Sequence, residues 1–276
     1  MEQQFIEFCK TGNLDEAKEL LKKYPDINIS YNNEEAFRFA CYHRYLDVAK
    51  WLLLVKPDIN ISAQNEGAFH WSCCHGHLKV AKWLLSVKPD INISYDDEEE
   101  FRFACEEGRL KVAKWLLRVK PDIKISASDD YAFRYACEKG HLKVAKWLLS
   151  VKPDINISIY NEQAFGNACY KGYLHVAKWL LSVKPDINIS IYNDGAFRWA
   201  CENKELKVAK WLQSLKPWLY VIKYNIYGNY SGYKIRTKEE VIWEQRKWAL
   251  HLALQEKTNI LYHLPTDIAK MVTLFV

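Results

Sequence analysis

The sequence predicts an all-α fold, a solenoid of about seven helix-turn-helix units that each span 32 residues. Two residue types recur with that spacing. The prolines are Pro25, Pro57, Pro89, Pro121, Pro153, Pro185 and Pro217. The tryptophans are Trp51, Trp83, Trp115, Trp147, Trp179 and Trp211. Repetition with a period between about 20 and 50 residues is typical of arrays in which each unit buries its apolar face on its neighbours.

The first helix of each unit is predicted from an apolar stripe, which is clearest in residues 160–190. Phe165, Ala168 and Cys169 have the spacing of one buried helical face. We expect Asn161 to cap this helix, because a short side-chain oxygen can accept hydrogen bonds from the free N–H groups of the first turn. The helix is predicted to end in a left-handed turn, at glycine in four units: Gly76, Gly108, Gly140 and Gly172.

The second helix is predicted from a leucine column that leads into the motif V-A-K-W-L-L. The leucines are Leu14, Leu46, Leu78, Leu110, Leu142, Leu174 and Leu206. The helix is expected to end before Lys-Pro, because the residue before a proline avoids the α region. The tryptophan of the motif is predicted to fill the seam between neighbouring units. Trp71 and Trp199, which share a different column, are predicted to lie in the core.

The motif A-F-R-x-A-C-x-x-G-H-L-K-V-A-K-W-L-L-S-V-K-P-D-I-N resembles the ankyrin repeat over residues 1–217. The unit is one residue shorter than the usual length of about 33, and Lys56-Pro57 stands where that family has Gly-Ala. The form K-W-L-L-S-x-K-P-D-I-N-I-S is similar to ankyrin proteins encoded by giant DNA viruses of the mimivirus type. The resemblance implies a non-enzymatic protein-protein interaction scaffold and, for a viral chain, an adaptor directed at a host protein.

In the ankyrin family the contact surface is the concave side, formed by loop tips and the exposed positions of the first helices. The resemblance implies these partner-binding residues: Tyr31, Asn32, Glu34, Tyr42, His43, Glu66, His75, Tyr95, Asp96, Glu98, Glu106, Glu107, Glu138, Lys139, Tyr160, Tyr170, Lys171, Tyr192 and Glu202. We expect Glu98, Glu106 and Glu107 to be solvated, so that an acidic groove favours a protein partner with a basic segment. The alternative is a structural spacer without a specific partner.

The positive charge of the chain does not by itself indicate a nucleic-acid partner. The net charge is +5, and lysines such as Lys79, Lys82 and Lys88 repeat on the second helix and its exit. In ankyrin proteins this is the convex side. We therefore interpret these lysines as a solvated face and expect no nucleic-acid binding.

One cluster imitates a metal site and consists of His70, Cys73, Cys74, His75 and His77. Zinc needs converging ligands, whereas Cys73 belongs to a repeated cysteine column and His77 to the turn between helices. We therefore expect no metal and no cofactor. The sequence also lacks phosphate-cradling glycine loops, nucleophile elbows and His-Glu zinc-helix motifs, so we expect no catalytic residues, no enzyme activity and no small-molecule substrate.

The cysteines indicate the compartment. Seven of the eight fall at one repeat position: Cys9, Cys41, Cys73, Cys105, Cys137, Cys169 and Cys201. Such a column is typical of small buried core residues and not of a disulfide framework. The sequence shows no N-terminal signal segment and no apolar run of about 18 residues. It therefore predicts an intracellular, cytoplasmic monomer without a membrane segment, in a host cell if the chain is viral.

Residues 218–276 are predicted to form a C-terminal capping region with a helix over 238–257, because a solenoid needs an end unit that covers its last apolar face. The final segment, 264–276, has the pattern L-P-x-D-I-x-x-x-V. It resembles the opening helix of the F-box, found truncated at the ends of poxvirus ankyrin proteins that recruit cullin ubiquitin ligases through a Skp-type adaptor. The resemblance implies adaptor-binding residues at Leu264, Pro265, Ile268 and Val272. The alternative is that this helix only caps the array.

Overall fold

The computed structural model describes residues 1–217, 219–224 and 228–256. Residues 1–217 form pairs of short helices, which confirms the predicted helical array of about seven units. The first helices of the pairs are α1 Glu2–Thr11, α3 Tyr31–Tyr42, α5 Ala63–Cys74, α7 Tyr95–Glu106, α9 Ala127–Glu138, α11 Ile159–Tyr170 and α13 Ile191–Glu202. The second helices are α2 Leu14–Lys23, α4 Leu46–Val55, α6 Leu78–Val87, α8 Leu110–Val119, α10 Leu142–Val151, α12 Leu174–Val183 and α14 Leu206–Leu215.

The chain divides into two compact units, one of residues 1–164 and one that starts at Phe165. The first unit holds α1 to α10, the second holds α12 to α14 and the C-terminal elements, and α11 contains the boundary. Among the described residues, no helix is both long enough and apolar enough to cross a membrane.

The core of the first unit is a set of apolar side chains that recurs in every repeat. In the second repeat, Phe37 and Cys41 of α3 and Val48, Ala49 and Leu52 of α4 are at most 1% exposed. Full burial of a phenylalanine or leucine side chain contributes about 1.5–3 kcal/mol. Because each repeat supplies the same set, the core continues from repeat to repeat.

Five tryptophans of this column pack on the phenylalanine of the preceding repeat, as the predicted seam requires. In the first unit the ring centroids are 6.1–6.2 Å apart in the pairs Trp51–Phe5, Trp83–Phe37, Trp115–Phe69 and Trp147–Phe101. In the second unit the pair Trp211–Phe165 has a separation of 6.2 Å. Aromatic pairs contribute about 0.5–1.5 kcal/mol beyond the area that they bury, so this column links consecutive repeats.

The turn between the two helices of a repeat is left-handed, as predicted. Gly76 lies at φ 77° and Gly108 at φ 71°. Arg44 and Lys204 occupy the same position with φ 69° and φ 62°, at the cost that a residue with a Cβ has there. A Cβ on Gly108 would also come within 2.6 Å of the His141 ring. A side chain in place of Gly108 would therefore meet both backbone strain and the His141 ring.

The turn that opens the first helix differs from the prediction. Asn161 was expected to cap α11, but it lies at φ 56° inside a left-handed turn of three residues, Tyr160, Asn161 and Glu162. Three consecutive positive φ values recur at the start of α3, α5, α7 and α9. A left-handed residue with a side chain costs roughly 1–2 kcal/mol, so other interactions have to hold this turn.

An arginine column supplies one of these interactions. Arg102 donates from Nε to the carbonyl oxygen of Asp97 at 2.8 Å and from Nη2 to that of Asp96 at 2.7 Å. Arg38 and Arg134 make the equivalent bonds in their own repeats. The guanidinium group thus satisfies two carbonyl oxygens that the left-handed turn leaves outside the helical hydrogen-bond ladder.

The carboxylate at the third position of the turn supplies the other interaction. Glu34 accepts the hydroxyl proton of Ser30 at 2.7 Å and the backbone N–H of Asn60, in the next repeat, at 3.2 Å. Glu98 accepts equivalent bonds from Ser94 and from the backbone of the following repeat. Each carboxylate therefore joins its own turn to the next one along the array.

The cysteines are free and buried, as the repeated column predicts. Burial raises the pKa of the Cys9 thiol to about 12 and raises the pKa of Cys41 and Cys105 further. These thiols are therefore protonated at neutral pH and serve as small core residues.

The second unit contains a hairpin that the sequence analysis did not predict. Strand β1 Tyr220–Tyr224 pairs antiparallel with β2 Tyr230–Ile235, in a register that places Tyr220 opposite Ile235. Helix α15 Lys238–Glu256 follows, in agreement with the helix predicted over 238–257. The missed strands lie where tyrosines crowd a glycine-containing segment, a composition that suits strands as well as a connector.

The hairpin packs on the last repeat through Tyr220 and Tyr233, and the Tyr233 hydroxyl donates to Glu202 Oε1 at 2.8 Å. Tyr220 is fully buried, stacks on Phe197 of α13 with centroids 4.2 Å apart, and donates to Asp194 Oδ1 at 2.6 Å. Asp194 is the carboxylate of the left-handed turn. Tyr220 therefore donates to the acceptor that would otherwise bond the backbone of a following repeat.

The predicted division between 217 and 218 stays a prediction. The predicted F-box-like helix, with Leu264, Pro265, Ile268 and Val272, lies outside the described residues.

Candidate functional site

The predicted partner-binding residues separate into three groups by exposure. Those with exposed side chains are Tyr31, Asn32, His43, Asp96, Lys139, Tyr160, Tyr170, Lys171 and Glu202. Those that are half-buried are Tyr42, Glu66, His75, Tyr95, Glu107 and Glu138. Those that are buried are Glu34, Glu98 and Glu106. The side chain of Tyr192 lies outside the described part of the chain.

The buried glutamates correct the sequence-based expectation. Glu34 and Glu98 are 6% and 4% exposed because they are the carboxylates that hold the left-handed turns. Glu66, in the same column, is half-buried and accepts the Ser62 hydroxyl proton at 2.7 Å. The expectation that Glu98 is solvated was wrong, since its buried carboxylate accepts hydrogen bonds that hold the turn.

Glu106 is also buried, for a different reason. Tyr131 donates its hydroxyl proton to Glu106 Oε2 at 2.6 Å, and Lys139 Nζ lies 3.6 Å from Glu106 Oε1 and 3.5 Å from Glu107 Oε1. Although partial burial lowers the pKa of Lys139, the Glu107 and Glu106 carboxylates raise it overall. The predicted solvation of Glu106 was therefore wrong, and Lys139 offsets much of the acidic charge expected at Glu106 and Glu107.

An aromatic cluster on α3 and α5 comprises Tyr42, Trp71 and His75. The ring centroids are 5.8 Å apart for Tyr42–Trp71, 4.5 Å for Tyr42–His75 and 5.7 Å for Trp71–His75. Trp71 is 43% exposed, so its predicted place in the core was wrong. Phe69 and Cys73 occupy the buried side of α5, which leaves the Trp71 indole on the outer side.

Sequence reasoning also missed a buried pair between α5 and α7. Glu100 is fully buried, and neither of its carboxylate oxygens has a hydrogen-bond partner among the described residues. His70 Nδ1 lies 4.0 Å from Glu100 Oε1 and 3.8 Å from Glu99 Oε2. A signal was present in the sequence, because five of the other six repeats have alanine at this column: Ala36, Ala68, Ala132, Ala164 and Ala196.

Burial decides the protonation of this pair. Burial raises the pKa of Glu100 to about 8, against the opposing effect of its own backbone N–H group. Burial also lowers the pKa of His70, against the opposing effect of the Glu99 carboxylate. Near pH 7 the pair is therefore mostly a neutral acid beside a neutral imidazole.

The cluster that imitates a metal site does not converge. His75 Nδ1 contacts the Trp71 carbonyl oxygen at 2.9 Å, and His77 Nε2 contacts the Tyr42 carbonyl oxygen at 2.9 Å. Burial, reinforced by nearby carboxylates, raises the pKa of Cys74 to about 12. Within the described ranges, no group of three or more His, Cys, Asp and Glu side chains is placed to hold a metal ion.

The lysines of the second helices are exposed, among them Lys79, Lys82 and Lys111. In five repeats the lysine before the repeated proline pairs with the aspartate two residues later, as in Lys88–Asp90 at 2.9 Å. Because such exposed pairs contribute about 0–1 kcal/mol, this face is a solvated surface with its charge partly paired.

Paired helices that recur every 32 residues and bury the same apolar columns define a repeat scaffold. Ankyrin-repeat sequence models match the chain: the three-copy form matches residues 101–191 and 133–220, the many-copy form residues 5–53 and the single repeat residues 64–96. The chain belongs to the ankyrin-repeat family. This family is non-enzymatic, and its repeats are a scaffold for protein-protein interaction.

Solved structures agree on the fold. The crystal structure of the human ASB11 ankyrin repeat domain is similar to this chain, with a TM-score of 0.55 and 15% sequence identity. The similarity covers 74% of this chain and 96% of the ASB11 chain. In total, 109 chains of solved structures match. No curated protein matches the sequence.

Proposed function

We propose that this chain binds another protein through the exposed residues of its first helices and of the left-handed turns before them. The observation that carries this proposal is a set of exposed aromatic side chains that the repeat core does not need. Tyr31 is 42% exposed, Tyr160 52% and Tyr170 40%. Tyrosine and tryptophan are enriched where protein partners bind, because they combine large contact area with a polar group.

The charge of this face favours a partner with a basic segment. Asp96 and Glu202 are exposed, and Glu107 and Glu138 are half-buried at the ends of first helices. Because Glu34, Glu98 and Glu106 are buried, the acidic character of the surface rests on fewer residues than the sequence suggested. Opposite charges across such a surface steer association and select the partner.

A pull-down tests this function with a matched control. The variant Tyr31→Ala/Tyr170→Ala removes two exposed rings from the first helices, and Lys79→Ala/Lys143→Ala removes two exposed lysines from the second helices. Each bait is incubated with a eukaryotic cell lysate, and recovered proteins are quantified by mass spectrometry. A partner that the wild type and the lysine variant recover, and the tyrosine variant loses, supports the proposal. Equal recovery by all three baits indicates a spacer.

The viral and host-directed parts of the function rest on sequence alone. The K-W-L-L-S-x-K-P-D-I-N-I-S form is similar to ankyrin proteins of giant DNA viruses, and we propose a monomeric, host-directed adaptor in the cytoplasm of the host cell. Expression of the tagged chain in an amoebal host with imaging and cross-linking tests both the location and the target.

A second candidate is an adaptor that brings its partner to a cullin ubiquitin ligase. It is favoured by the F-box-like pattern in 264–276, where Leu264, Pro265, Ile268 and Val272 would contact a Skp-type protein. Deletion of 264–276 distinguishes the roles. Loss of adaptor co-purification with an unchanged melting temperature supports recruitment, whereas a large fall in melting temperature without adaptor binding by the full chain indicates a cap.

A further inference from the structure

The second helices α6, α8 and α10 of the first unit carry charge of one sign. Their sequences contain six lysines and one arginine, Arg118, and no aspartate or glutamate. The six lysines are all exposed, and together they are called the lysine face: Lys79, Lys82, Lys111, Lys114, Lys143 and Lys146. None of them has an ion pair or a side-chain hydrogen bond with another described residue. Their charge is therefore not compensated by the described part of the chain.

The six lysines form one surface because the three helices are neighbours. Within each helix the two lysines are three residues apart, so they lie on the same side. Leu85 of α6 and Val119 of α8 line one cleft. Lys114 Nζ of α8 lies 5.9 Å from the ring centroid of Trp147 in α10. Packed helices have axes about 8–10 Å apart, which is about one Debye length at 0.1 M salt. The lysines therefore repel one another.

Three of these lysines stand where the helix itself favours an anion. Lys79, Lys111 and Lys143 are the second residues of α6, α8 and α10, whose first turns contain no acidic residue. Asp15 and Asp47 occupy the same column in α2 and α4. The N-terminal end of a helix carries partial positive charge, which a carboxylate there offsets. In α6, α8 and α10 the lysines add to that charge instead.

The carboxylates that border the lysine face do not neutralise it. The aspartates in the loops after the three helices already pair with loop lysines at 2.9–3.1 Å, namely Asp90, Asp122 and Asp154. Glu107, before α8, pairs with Lys139. The neighbouring helix α4 contains Asp47 and Lys50 and so adds no net charge. The surface over α6, α8 and α10 is therefore positive, which favours an anionic ligand.

The composition of the lysine face favours an acidic protein segment over a nucleic acid. The tryptophans of α6, α8 and α10 pack on phenylalanines and are buried or half-buried, so the described residues of these helices offer no exposed ring for base stacking. Arg118 is the one arginine, whereas nucleic-acid sites use arginine for bidentate contacts to phosphates and bases. Lysines of this array do pair with carboxylates, as Lys88 does with Asp90.

We propose that the lysine face binds an acidic segment of a protein, whose carboxylates pair with several of the six lysines at once. This site is distinct from the exposed tyrosines of the proposed function and goes beyond that function. The bound carboxylates relieve the repulsion among the lysines and interact favourably with the three helix N-termini. Because each exposed ion pair is weak, the affinity comes from the number of pairs formed.

Peptides of defined charge test the inference. The probe is a fluorescein-labelled peptide of four Glu-Gly-Glu-Ser repeats, compared with the same peptide carrying glutamine in place of glutamate. Binding to the full chain is measured by fluorescence anisotropy at about 20 mM salt, where surface charges are weakly screened, and again at about 300 mM salt. At the lower salt we expect the glutamate peptide to bind about tenfold more tightly than the glutamine peptide, and at the higher salt most of this difference should be lost.

A triple variant locates the site. Lys79→Gln/Lys111→Gln/Lys143→Gln removes three charges from the lysine face and should weaken the glutamate peptide by about fivefold to twentyfold, the effect of three exposed ion pairs. Lys79→Arg/Lys111→Arg/Lys143→Arg keeps the charge and should bind as the wild type does. Circular dichroism of each variant verifies the fold, which substitutions at these exposed positions should leave intact.

The matched control is Lys18→Gln/Lys22→Gln/Lys23→Gln. It removes the same number of charges from α2, a second helix that also carries acidic residues in its first turn. This variant should bind the glutamate peptide as the wild type does. Equal losses in the two glutamine variants would mean that only the net charge of the chain matters, and would overturn the proposed site.

The remaining outcomes also decide the inference. No binding of the glutamate peptide at about 1 mM, or equal binding of the glutamine peptide, would overturn it. A fluorescein-labelled DNA duplex of about 20 base pairs is the competing ligand. If the duplex binds more tightly than the glutamate peptide and the lysine variant loses it, the face is a nucleic-acid site and the proposal is wrong.

The lysine face and the proposed function fail separately. The variant Tyr31→Ala/Tyr170→Ala leaves all six lysines in place and should bind the glutamate peptide as the wild type does. Loss of the peptide by this variant would place its binding elsewhere and overturn the inference. A protein that the tyrosine variant loses in the pull-down would still support the scaffold, whatever the peptides show.

Discussion

Two neighbouring seams of the first unit, α5–α7 and α7–α9, are built from the same repeat but differ in what they bury. At α7–α9 the core column holds Ala132, and Arg102 reaches across to Tyr131 of the next repeat. At α5–α7 the same column holds Glu100, and the arginine is replaced by His70. The α7–α9 seam therefore has an apolar residue in this column, while the α5–α7 seam contains a carboxyl group and an imidazole nitrogen without hydrogen-bond partners.

This difference shows that a buried carboxyl group can stabilise or destabilise this fold, depending on the hydrogen bonds that it accepts. Glu98 and Glu100 lie two residues apart on α7 and are both buried. Glu98 accepts bonds from Ser94 and Lys124 N and joins two repeats, whereas Glu100 accepts none from the described residues. A buried polar group without a partner costs about 1–3 kcal/mol. The α5–α7 seam should therefore be the weaker of the two at neutral and alkaline pH.

The largest expected effect comes from reversing the charge at Glu98. Glu98→Lys removes the acceptor for Ser94 and the next repeat and places an ammonium group in a buried turn, so we expect a loss of roughly 3–5 kcal/mol in the free energy of unfolding. Urea denaturation measures it. The matched control is Glu107→Lys, which changes a partly exposed pair and should cost less than about 1 kcal/mol. Equal effects of the two variants would contradict the structural role of Glu98.

The next effect has the opposite sign. Glu100→Ala restores the residue of the other repeats and should raise the free energy of unfolding by roughly 2–4 kcal/mol at pH 7. The folded pKa, about 8, lies above the ordinary value of 4.5. The cost of Glu100 is therefore absent below about pH 4.5, grows as pH rises towards 8 and is constant above it. Urea denaturation of both proteins between pH 6.5 and 9.5 measures the difference.

Two results would contradict this assignment. A Glu100→Ala variant that is less stable than the wild type at pH 9 would show that the carboxylate is satisfied. A difference that stays constant between pH 6.5 and 9.5 would show that Glu100 does not titrate in this range. The lowered pKa of His70 acts in the opposite direction, since its cost appears only as pH falls below about 6.5.

The helical array could be predicted because its signals are periodic. The 32-residue spacing of proline, tryptophan and cysteine places the helices, the seam and the left-handed turn at Gly76 without any structure. The opening turn could not be predicted in the same way. Asn161 has the residue type of a helix cap, but the bonds of Arg102 and Glu98 in an equivalent turn show that side chains distant in sequence hold a left-handed path there.

The candidate surface was predicted less completely than the fold. The family resemblance indicated which columns face outward. The exposed side chains of Tyr31, Tyr160 and Tyr170 agree with that expectation. The predicted exposure of Glu98 and Glu106 was wrong, because their burial depends on partners 25 or 26 residues away in the next repeat. The predicted burial of Trp71 was also wrong, because an aromatic residue in a helix is usually assigned to the core. Comparing each residue with its own column identifies Glu100 and His70, and that comparison needs no structure.

A smaller effect should follow from loss of the arginine that holds the opening turn of α9. Arg134 donates to the carbonyl oxygens of Asp129 and Ser128 at 2.8 Å and 3.1 Å. The variant Arg134→Ala removes both of these hydrogen bonds. We expect a loss of about 1–2 kcal/mol in the free energy of unfolding. Hydrogen exchange should speed up in residues 126–133 before the rest of the first unit. Uniform exchange along the unit would contradict a local role.

The smallest effect, and the sharpest test of the seam comparison, comes from His70→Arg. Arginine at this position can donate to the carbonyl oxygens of Gln64 and Asn65, as Arg102 does to Asp96 and Asp97. It also brings a permanent charge towards Glu100, which should lower the pKa of that carboxyl group and reduce the cost of its ionised form. We expect a gain of about 1 kcal/mol at pH 7.

A double-mutant cycle of His70→Arg with Glu100→Ala isolates the contact between the two positions. If the pair faces each other as the 4.0 Å separation indicates, the stabilisation by Glu100→Ala should be smaller in the His70→Arg background. Its pH dependence between 6.5 and 9.5 should also weaken there, because arginine stays charged throughout that range. The variant Arg38→His, at the same column of α3, is the control and should not change the effect of Glu100→Ala. If the changes in the free energy of unfolding add within about 0.5 kcal/mol at every pH, the two side chains do not interact. The lower stability of the α5–α7 seam would then come from Glu100 alone.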